Sequence, residues 1–311
     1  MARLTRAQQQ ERTRAAVLTA ARAEFAERGY VEAKIDRIAE RAELTRGAVY
    51  SNFPSKRALY LAVLVDLVER DDDGPVPASA PEPAEALGAF ARVWLERLPL
   101  TGGPPSAGHL RLRSLAGLLD DEPARSALAQ VARLEALLLA FALEAPGTRR
   151  VRLAELVLTL LAGSGHLADT APGFGDPFDV ARACEQLVEV DVADVWDPPH
   201  LPYVVPAEAC RERWEPPAGL VEQVRGGPVA FEGDGVVAVL GTSRLEAAEE
   251  AVRGARPGDQ VTVAVVSGDP AETGRLVRLR IADTTRCLRR VFPPDALPRV
   301  RVVLDEDGLL A

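Results

Sequence analysis

Residues 34–56 read KIDRIAERAELTRGAVYSNFPSK, and the order of apolar, small and basic residues in them decides the local fold. Ile35, Ile38 and Ala39 fall at i, i+3 and i+4 and make one apolar stripe, leaving Asp36, Arg37, Glu40 and Arg41 to solvent. The periodicity breaks at Ala42-Glu43-Leu44. Thr45 is a good N-cap for a second helix, its hydroxyl placed to accept from a backbone N–H one turn in. Arg46, Gly47 and Ala48 open that helix, and two residues with almost no side chain let its end approach a surface closely. Val49 and Phe53, four apart, turn back onto the first helix, so that Arg46, Tyr50 and Ser51 point outward. Pro54 stops the helix, and Ser55 caps the next one, in which Lys56 and Arg57 put positive charge where a phosphate would sit. Two short helices, a tight turn and a basic exit make a helix-turn-helix, a geometry that presents a helix to the DNA major groove.

The flanks support that reading over a buried hairpin inside a larger bundle. Residues 8–28 predict an amphipathic helix with Ala16, Val17, Ala20 and Phe25 on its apolar side, ended by Gly29 at the C-cap position. Three helices then enclose one small core. Residues 1–70 hold thirteen Lys or Arg against nine Asp or Glu, whereas the whole chain carries −9, so positive charge is concentrated at this end. The only two lysines, Lys34 and Lys56, flank the motif and are both candidate DNA contacts.

The run FAERGYVEAKIDRIAERAELTRGAVYSNFPSKRALYLAVL, residues 25–64, resembles the N-terminal domain of the TetR/AcrR family of bacterial repressors, and the resemblance extends over about residues 10–65. It implies an all-helical homodimer, each subunit with a three-helix DNA-binding head and a larger helical domain that binds a small-molecule effector. It further implies that Thr45, Arg46, Gly47, Ala48, Tyr50 and Ser51 face a double-stranded operator, with Tyr50, Thr45 and Lys56 mainly on phosphates. One departure is Glu43, where the family often has Gly in the turn. An extra carboxylate there costs a little DNA affinity or needs a neighbour such as Arg46 or Arg41.

At 311 residues the chain is longer than such repressors usually are and has room for two or three domains. The fold class expected is mainly α: a DNA-binding head (residues 1–70), a helical ligand-binding and dimerisation domain (71–198), and a small additional α/β domain of unknown role (199–311). No charged-then-apolar leader opens the sequence, and no uninterrupted apolar run reaches the ~20 residues of a membrane helix, so a cytoplasmic protein without membrane contact is expected. Cys184, Cys210 and Cys287 lie far apart, with no CxxC and no histidine at ligand spacing, so neither a zinc site nor a disulfide framework is indicated. They read as buried or inert thiols, with redox sensing as the lesser alternative.

Residues 71–82, DDDGPVPASAPE, read as a linker. Helices are predicted over residues 83–98, 109–119, 123–144, 149–169 and 177–190. Leu153, Leu156, Val157, Leu160, Leu161 and Ala162, followed by Gly163-Ser164-Gly165, form a broad apolar stripe ending in small residues. By family position this helix and the one at Pro177 build the dimer interface, with intrachain core as the alternative. Phe90, Trp94, Phe141 and His166, with Leu95, Leu112, Leu115 and Leu138, are candidates to line an apolar effector pocket. His109, Arg111 or Arg113 would be its polar anchor. Any one of them taken alone is more often simply core. Residues 71–198 hold ten Arg against twenty Asp or Glu, an acidity that favours a cationic or neutral ligand and also keeps the domain off DNA.

Beyond Trp196 the run DPPHLPYVVP marks a boundary. Residues 235–240, 260–266 and 299–304 are β-branched runs bounded by Gly, Pro or Asp and read as strands; residues 243–253 and 271–291 read as helices between them. The alternation predicts a small parallel α/β unit, and residues 228–231 are a candidate hairpin strand through Gly233-Asp234-Gly235. Gly241-Thr242-Ser243 and Ser267-Gly268-Asp269 each follow a strand and open a helix, a geometry that suits an anion, but both lack a phosphate-loop pattern and ordinary capping is the better reading. The second helix carries Arg275, Arg278, Arg280, Arg286, Arg289 and Arg290 opposite Val277, Ile281, Leu288 and Phe292. A solvated face is the default for such a run; the acidic middle domain, a partner protein or flanking DNA are the alternatives. No catalytic constellation, metal spacing or cofactor motif is present in residues 200–311, so the chain is expected not to be an enzyme and to need no cofactor or metal. A regulator head fused to a nucleotide-binding or enzymatic module is the alternative.

Overall fold

The computed structural model describes residues 5–70, 74–96, 121–145, 148–195, 208–212, 214–215, 220–229, 231, 235–256 and 258–305. The expected helix over residues 109–119, with His109, Arg111 and Arg113, lies outside them. Among the described residues the fold is mainly α, with ten α-helices and one three-stranded sheet.

Helix α1 (Arg6–Glu32) begins in a capping box: the Thr5 hydroxyl accepts from the Gln8 N–H at 3.2 Å, and the Gln8 side chain accepts from the Thr5 N–H at 2.9 Å. Gly29 takes φ 70°, a left-handed conformation that costs glycine little, and breaks the helix one turn before its end. Helices α2 (Ile35–Arg41) and α3 (Arg46–Asn52) follow, and α4 (Lys56–Arg70) runs through the middle of the molecule with Ala58 to Val65 buried. Helices α5 (Pro83–Leu95), α6 (Glu122–Leu143), α7 (Val151–Thr170) and α8 (Pro177–Gln186) form the helical layer. α6 and α7 are long and apolar enough by composition to cross a membrane, but α6 turns most of that surface into the core.

The carboxyl-terminal segment is β1 (Gly235–Gly241), α9 (Ala247–Gly254), β2 (Gln260–Val266), a π-turn (Pro270–Gly274), α10 (Arg275–Val291) and β3 (Arg301–Asp305). The sheet is parallel in the order β1-β2-β3, with Gly235 opposite Gln260 and Val263 opposite Val302. The hairpin differs from expectation. Pro228 and Val229 pair back onto residues 220–222, and the Glu222–Val303 bridge adds that turn to the β3 edge. The Glu222 carboxylate, buried, accepts from the Val224 and Arg225 N–H groups at 2.7 and 2.6 Å and so locks the turn. The two glycine-containing triplets also part ways: Asp269 caps the π-turn by accepting from the Glu272 and Thr273 N–H groups, whereas α9 starts four residues after Ser243, so Gly241-Thr242-Ser243 opens no helix.

The basic face of α10 is the main correction to the sequence reading, because it is not solvated. Twelve of the seventeen residues of α10 are buried, and the helix packs against α4, α5 and α6. Arg278 meets Glu69 of α4 at 2.7 Å; Arg280 meets the buried Glu135 of α6 at 2.8 Å, where the Thr284 hydroxyl donates at 2.7 Å; Arg290 pairs with Glu96. Desolvation opposes the charge on Arg280, and the Glu135 carboxylate more than offsets it, holding the guanidinium above its ordinary range. Arg289 donates to the Gln223 and Val224 carbonyls. On its apolar side Val277, Ile281 and Leu288 join α5, α6, α7 and the sheet in one cluster, while Leu276, Leu279 and Ala282 join the cluster of α1 to α4. α10 therefore supplies core to both the head and the helical layer.

Cys184 and Cys287 are buried and Cys210 is exposed. Burial, aided by the charge of Glu185, pushes the Cys184 thiol up to about 12, which leaves it inert as a nucleophile.

Candidate nucleic-acid interface

The helix-turn-helix forms because its apolar residues all have somewhere to go. Ile35, Ile38 and Ala39 of α2 and Val49 of α3 are buried against Val17, Ala21 and Phe25 of α1 and against α4. Phe53, just past α3, is fully buried with the Arg14 guanidinium 4.8 Å and that of Arg275 5.5 Å from its ring centre. The Thr45 hydroxyl accepts from the Ala48 N–H at 3.2 Å, and Ser55 caps α4 by accepting from the Ala58 N–H at 2.9 Å. Both caps sit where the sequence placed them.

With Val49 inward, α3 turns Thr45, Arg46, Gly47, Tyr50 and Ser51 to solvent, and Ala48 is half-buried. Ser51 is held by donating to the Ala48 carbonyl at 2.9 Å. Arg46 lies 3.4 Å from Asp36 and 5.5 Å from the centre of the Tyr50 ring; both side chains of the Arg46–Asp36 pair are exposed, so the guanidinium can exchange this partner for a phosphate or base edge. Lys34, also exposed, precedes α2 and donates its backbone N–H to Glu24 at 3.4 Å. These residues share the region around the start of α2 and the outer face of α3.

Lys56 is placed differently. Its ammonium donates to the Val31 carbonyl at 2.9 Å and lies 4.9 Å from the centre of the Tyr30 ring, and partial burial lowers its pKa. It tethers the end of α1 to the start of α4, a structural role that spacing alone does not reveal.

Glu43 departs from expectation in its physics. Arg41 pairs with Glu27 and Glu24, and Arg46 with Asp36; neither forms an ion pair with Glu43. Glu43 takes φ 55°, the only left-handed non-glycine among the described residues, so its cost is one of backbone conformation.

The head is gripped from the carboxyl-terminal segment. Glu272 of the π-turn accepts from the Ser55 hydroxyl and lies 2.7 Å from Arg57, which also contacts Asp121 at the start of α6 at 2.5 Å; Arg275 donates to the Ala58 carbonyl at 3.1 Å. Residues more than 200 apart in the chain thus meet at the start of α4. Ser55 was legible as a cap, but nothing in the sequence points to Glu272.

The candidate effector residues are dispersed. Phe90 and Trp94 are buried in the packed core of α5, Phe141 is half-buried under the Arg253 guanidinium at 5.0 Å, and His166 is exposed on α7. His109 and Arg113 lie outside the described residues.

The geometry defines a helix-turn-helix head of the DNA-binding class. Residues 17–63 match the pattern of a family described as "Bacterial regulatory proteins, tetR family". Two Pseudomonas putida proteins, the HTH-type transcriptional regulator TtgR and the probable HTH-type transcriptional regulator ArpR, are each 34% identical over 96 residues. That stretch is 31% of this chain and 45% of either relative, so the chain matches less than half the length of each. A solved TetR transcriptional regulator from Rhodococcus sp. RHA1 aligns with a TM-score of 0.39 at 22% identity, over 58% of this chain and 97% of that one, a similarity on which nothing further rests. By the matches to its amino-terminal part, the chain carries the DNA-binding domain of the TetR family of transcriptional regulators.

Proposed function

We propose that this chain is a non-enzymatic, cytoplasmic, effector-responsive transcriptional repressor that binds a palindromic operator as a homodimer and releases it when a small molecule binds. The observation that carries the reading is the outer face of α3: Thr45, Arg46, Gly47, Tyr50 and Ser51 stand exposed on a helix whose opposite side is fully buried. Lys34 extends this face, and Lys56 orients it. Dimerisation is supported by Leu156 and Leu167 of α7, Phe174 between the two helices and Phe178 of α8, all of them exposed, the last at 76%. A two-fold axis there would set the two α3 helices on half-sites about one helical turn, roughly 34–36 Å, apart, and a change in their spacing would release the DNA.

The test is selection of duplexes from a random pool by the full-length protein, followed by anisotropy titration on the enriched sequence. An inverted repeat is expected, with Tyr50→Ala binding it about tenfold or more weaker while unfolding at the wild-type denaturant midpoint. Failure to enrich any symmetric site, or undiminished affinity of Tyr50→Ala, would remove the assignment.

A further inference from the structure

A cavity of about 330 Å³ lies at the seam between the helical layer and the α/β segment, and none of its lining residues is one that the sequence marked for an effector. Arg133 and Leu137 of α6, Val151, Arg152 and Glu155 of α7, Val195, and Leu245, Glu246 and Glu249 at the start of α9 line it. Its volume falls at the lower end of the range for small-molecule sites.

Two of its walls are unusual. Glu246 and Glu249 are 8% and 5% exposed, and each has a buried carboxylate oxygen, Oε2 of Glu246 and Oε1 of Glu249, with no hydrogen-bond partner among the described residues. Asp194, beside the cavity-lining Val195, has a third such oxygen. Cations stand close by without hydrogen-bonding these oxygens: Arg244 Nε lies 3.4 Å from the other oxygen of Glu246, Arg253 Nε lies 3.8 Å from Oε1 of Glu249, and the exposed Arg133 lines the cavity. Arg152 is held by Glu155 at 2.5 Å and by the other oxygen of Glu249 at 3.0 Å, and Arg253 spends both terminal nitrogens on Glu144 at 3.0 and 2.8 Å. Burial pushes the Glu249 carboxyl above its ordinary range in spite of Arg152 and Arg253. Buried carboxylate acceptors that lack donors are costly, and beside a cavity a bound molecule can supply the missing donors.

The chemistry selects the ligand. The lining holds three carboxylates against the guanidinium groups of Arg133 and Arg152, so a small anion meets a wall of net negative charge. A metal ion is not favoured, because no three His, Cys, Asp or Glu side chains among the described residues converge on one point. An organic cation with N–H donors meets both requirements: its charge offsets the acidic wall, and its hydrogens reach the unpaired oxygens while Leu137, Val151 and Leu245 cover its carbon skeleton. We propose that this seam cavity is a binding site for a small amine or guanidinium cation, held by Glu246 and Glu249. The site adds a ligand class to the proposed effector response, but its existence does not depend on DNA binding.

Isothermal titration of the full-length protein, without DNA, separates the two. Agmatine, 1,4-diaminobutane and benzamidine are the probes, with tetramethylammonium as a cation that has no N–H donor and butyrate as an anion. At least one probe is expected to bind saturably at one site per chain, about tenfold or more tighter than tetramethylammonium, with butyrate silent. Glu246→Gln is expected to weaken that probe about tenfold, and Val195→Trp, at an exposed position on the cavity rim, to abolish binding with an unchanged melting temperature. No saturable binding by any of the three probes, equal binding of tetramethylammonium, or undiminished affinity in both variants would overturn the proposal. Loss of operator binding alone would leave it standing.

Discussion

Helices α3 and α10 carry the same outward signature, arginine on one side and aliphatic residues on the other, yet they meet opposite fates. α3 buries Val49 and leaves Arg46 in solvent beside an exposed Asp36. α10 buries both sides: its aliphatic residues enter two apolar clusters, and its arginines meet Glu69, Glu96 and Glu135 on three other helices or backbone carbonyls. The difference lies in the neighbours. A basic helix face is available for DNA where no element packs over it: Arg46 of α3 has the exposed Asp36 beside it, whereas α4, α5 and α6 pack against α10 and bring acids to its arginines.

Breaking this comparison begins with the largest effect. Removing residues 199–311 strips α10 from the clusters it shares with the head and the helical layer, so the truncated chain is expected to lose cooperative unfolding by calorimetry. A sharp transition in the truncated chain would mean that the segment is a separable addition. Arg280→Ala is next. It leaves Glu135 charged and unpaired in the interior and should cost about 3–5 kcal/mol in chemical denaturation, whereas Arg46→Ala on α3 should change stability by less than about 0.5 kcal/mol. Similar costs for the two would erase the distinction between the helices.

Glu272→Gln tests the grip on the head. Loss of the charged contact with Arg57 and Ser55 is expected to lower stability by about 1 kcal/mol and to change operator affinity without touching α3. An affinity equal to wild type would show that the head is positioned by α6 and Asp121 alone. The smallest effect is expected at Glu43→Gly, which relieves a left-handed residue and should raise the denaturation midpoint by up to about 1 kcal/mol in free energy. A lower midpoint would mean that the Glu43 side chain makes a contact worth more than its conformational cost.

The helix-turn-helix was legible because every determinant is local. Thr45 and Ser55 cap within one turn, Pro54 ends a helix, and Ile35, Ile38, Ala39, Val49 and Phe53 share a spacing that survives any tertiary arrangement. The strands were legible for a similar reason: residues 260–266 are a β-branched run, and β2 occupies those residues. The partners of Lys56, Arg57 and Arg280 were not, since Val31, Glu272 and Glu135 lie 25, 215 and 145 residues away in sequence. The cavity was hidden for the same reason, its walls coming from α6, α7, Val195 and the start of α9.

The sequence by itself determined the DNA-binding head, the helical middle and the parallel order implied by alternating strands and helices, because caps, periodicity and breakers act over a few residues. Only the tertiary structure decided that α10 is an interior helix, that the carboxyl-terminal segment holds the start of α4, and that Glu246 and Glu249 face a cavity with unpaired oxygens. Those outcomes depend on which distant charge meets which, and burial, not sequence spacing, sets how strongly each pair binds.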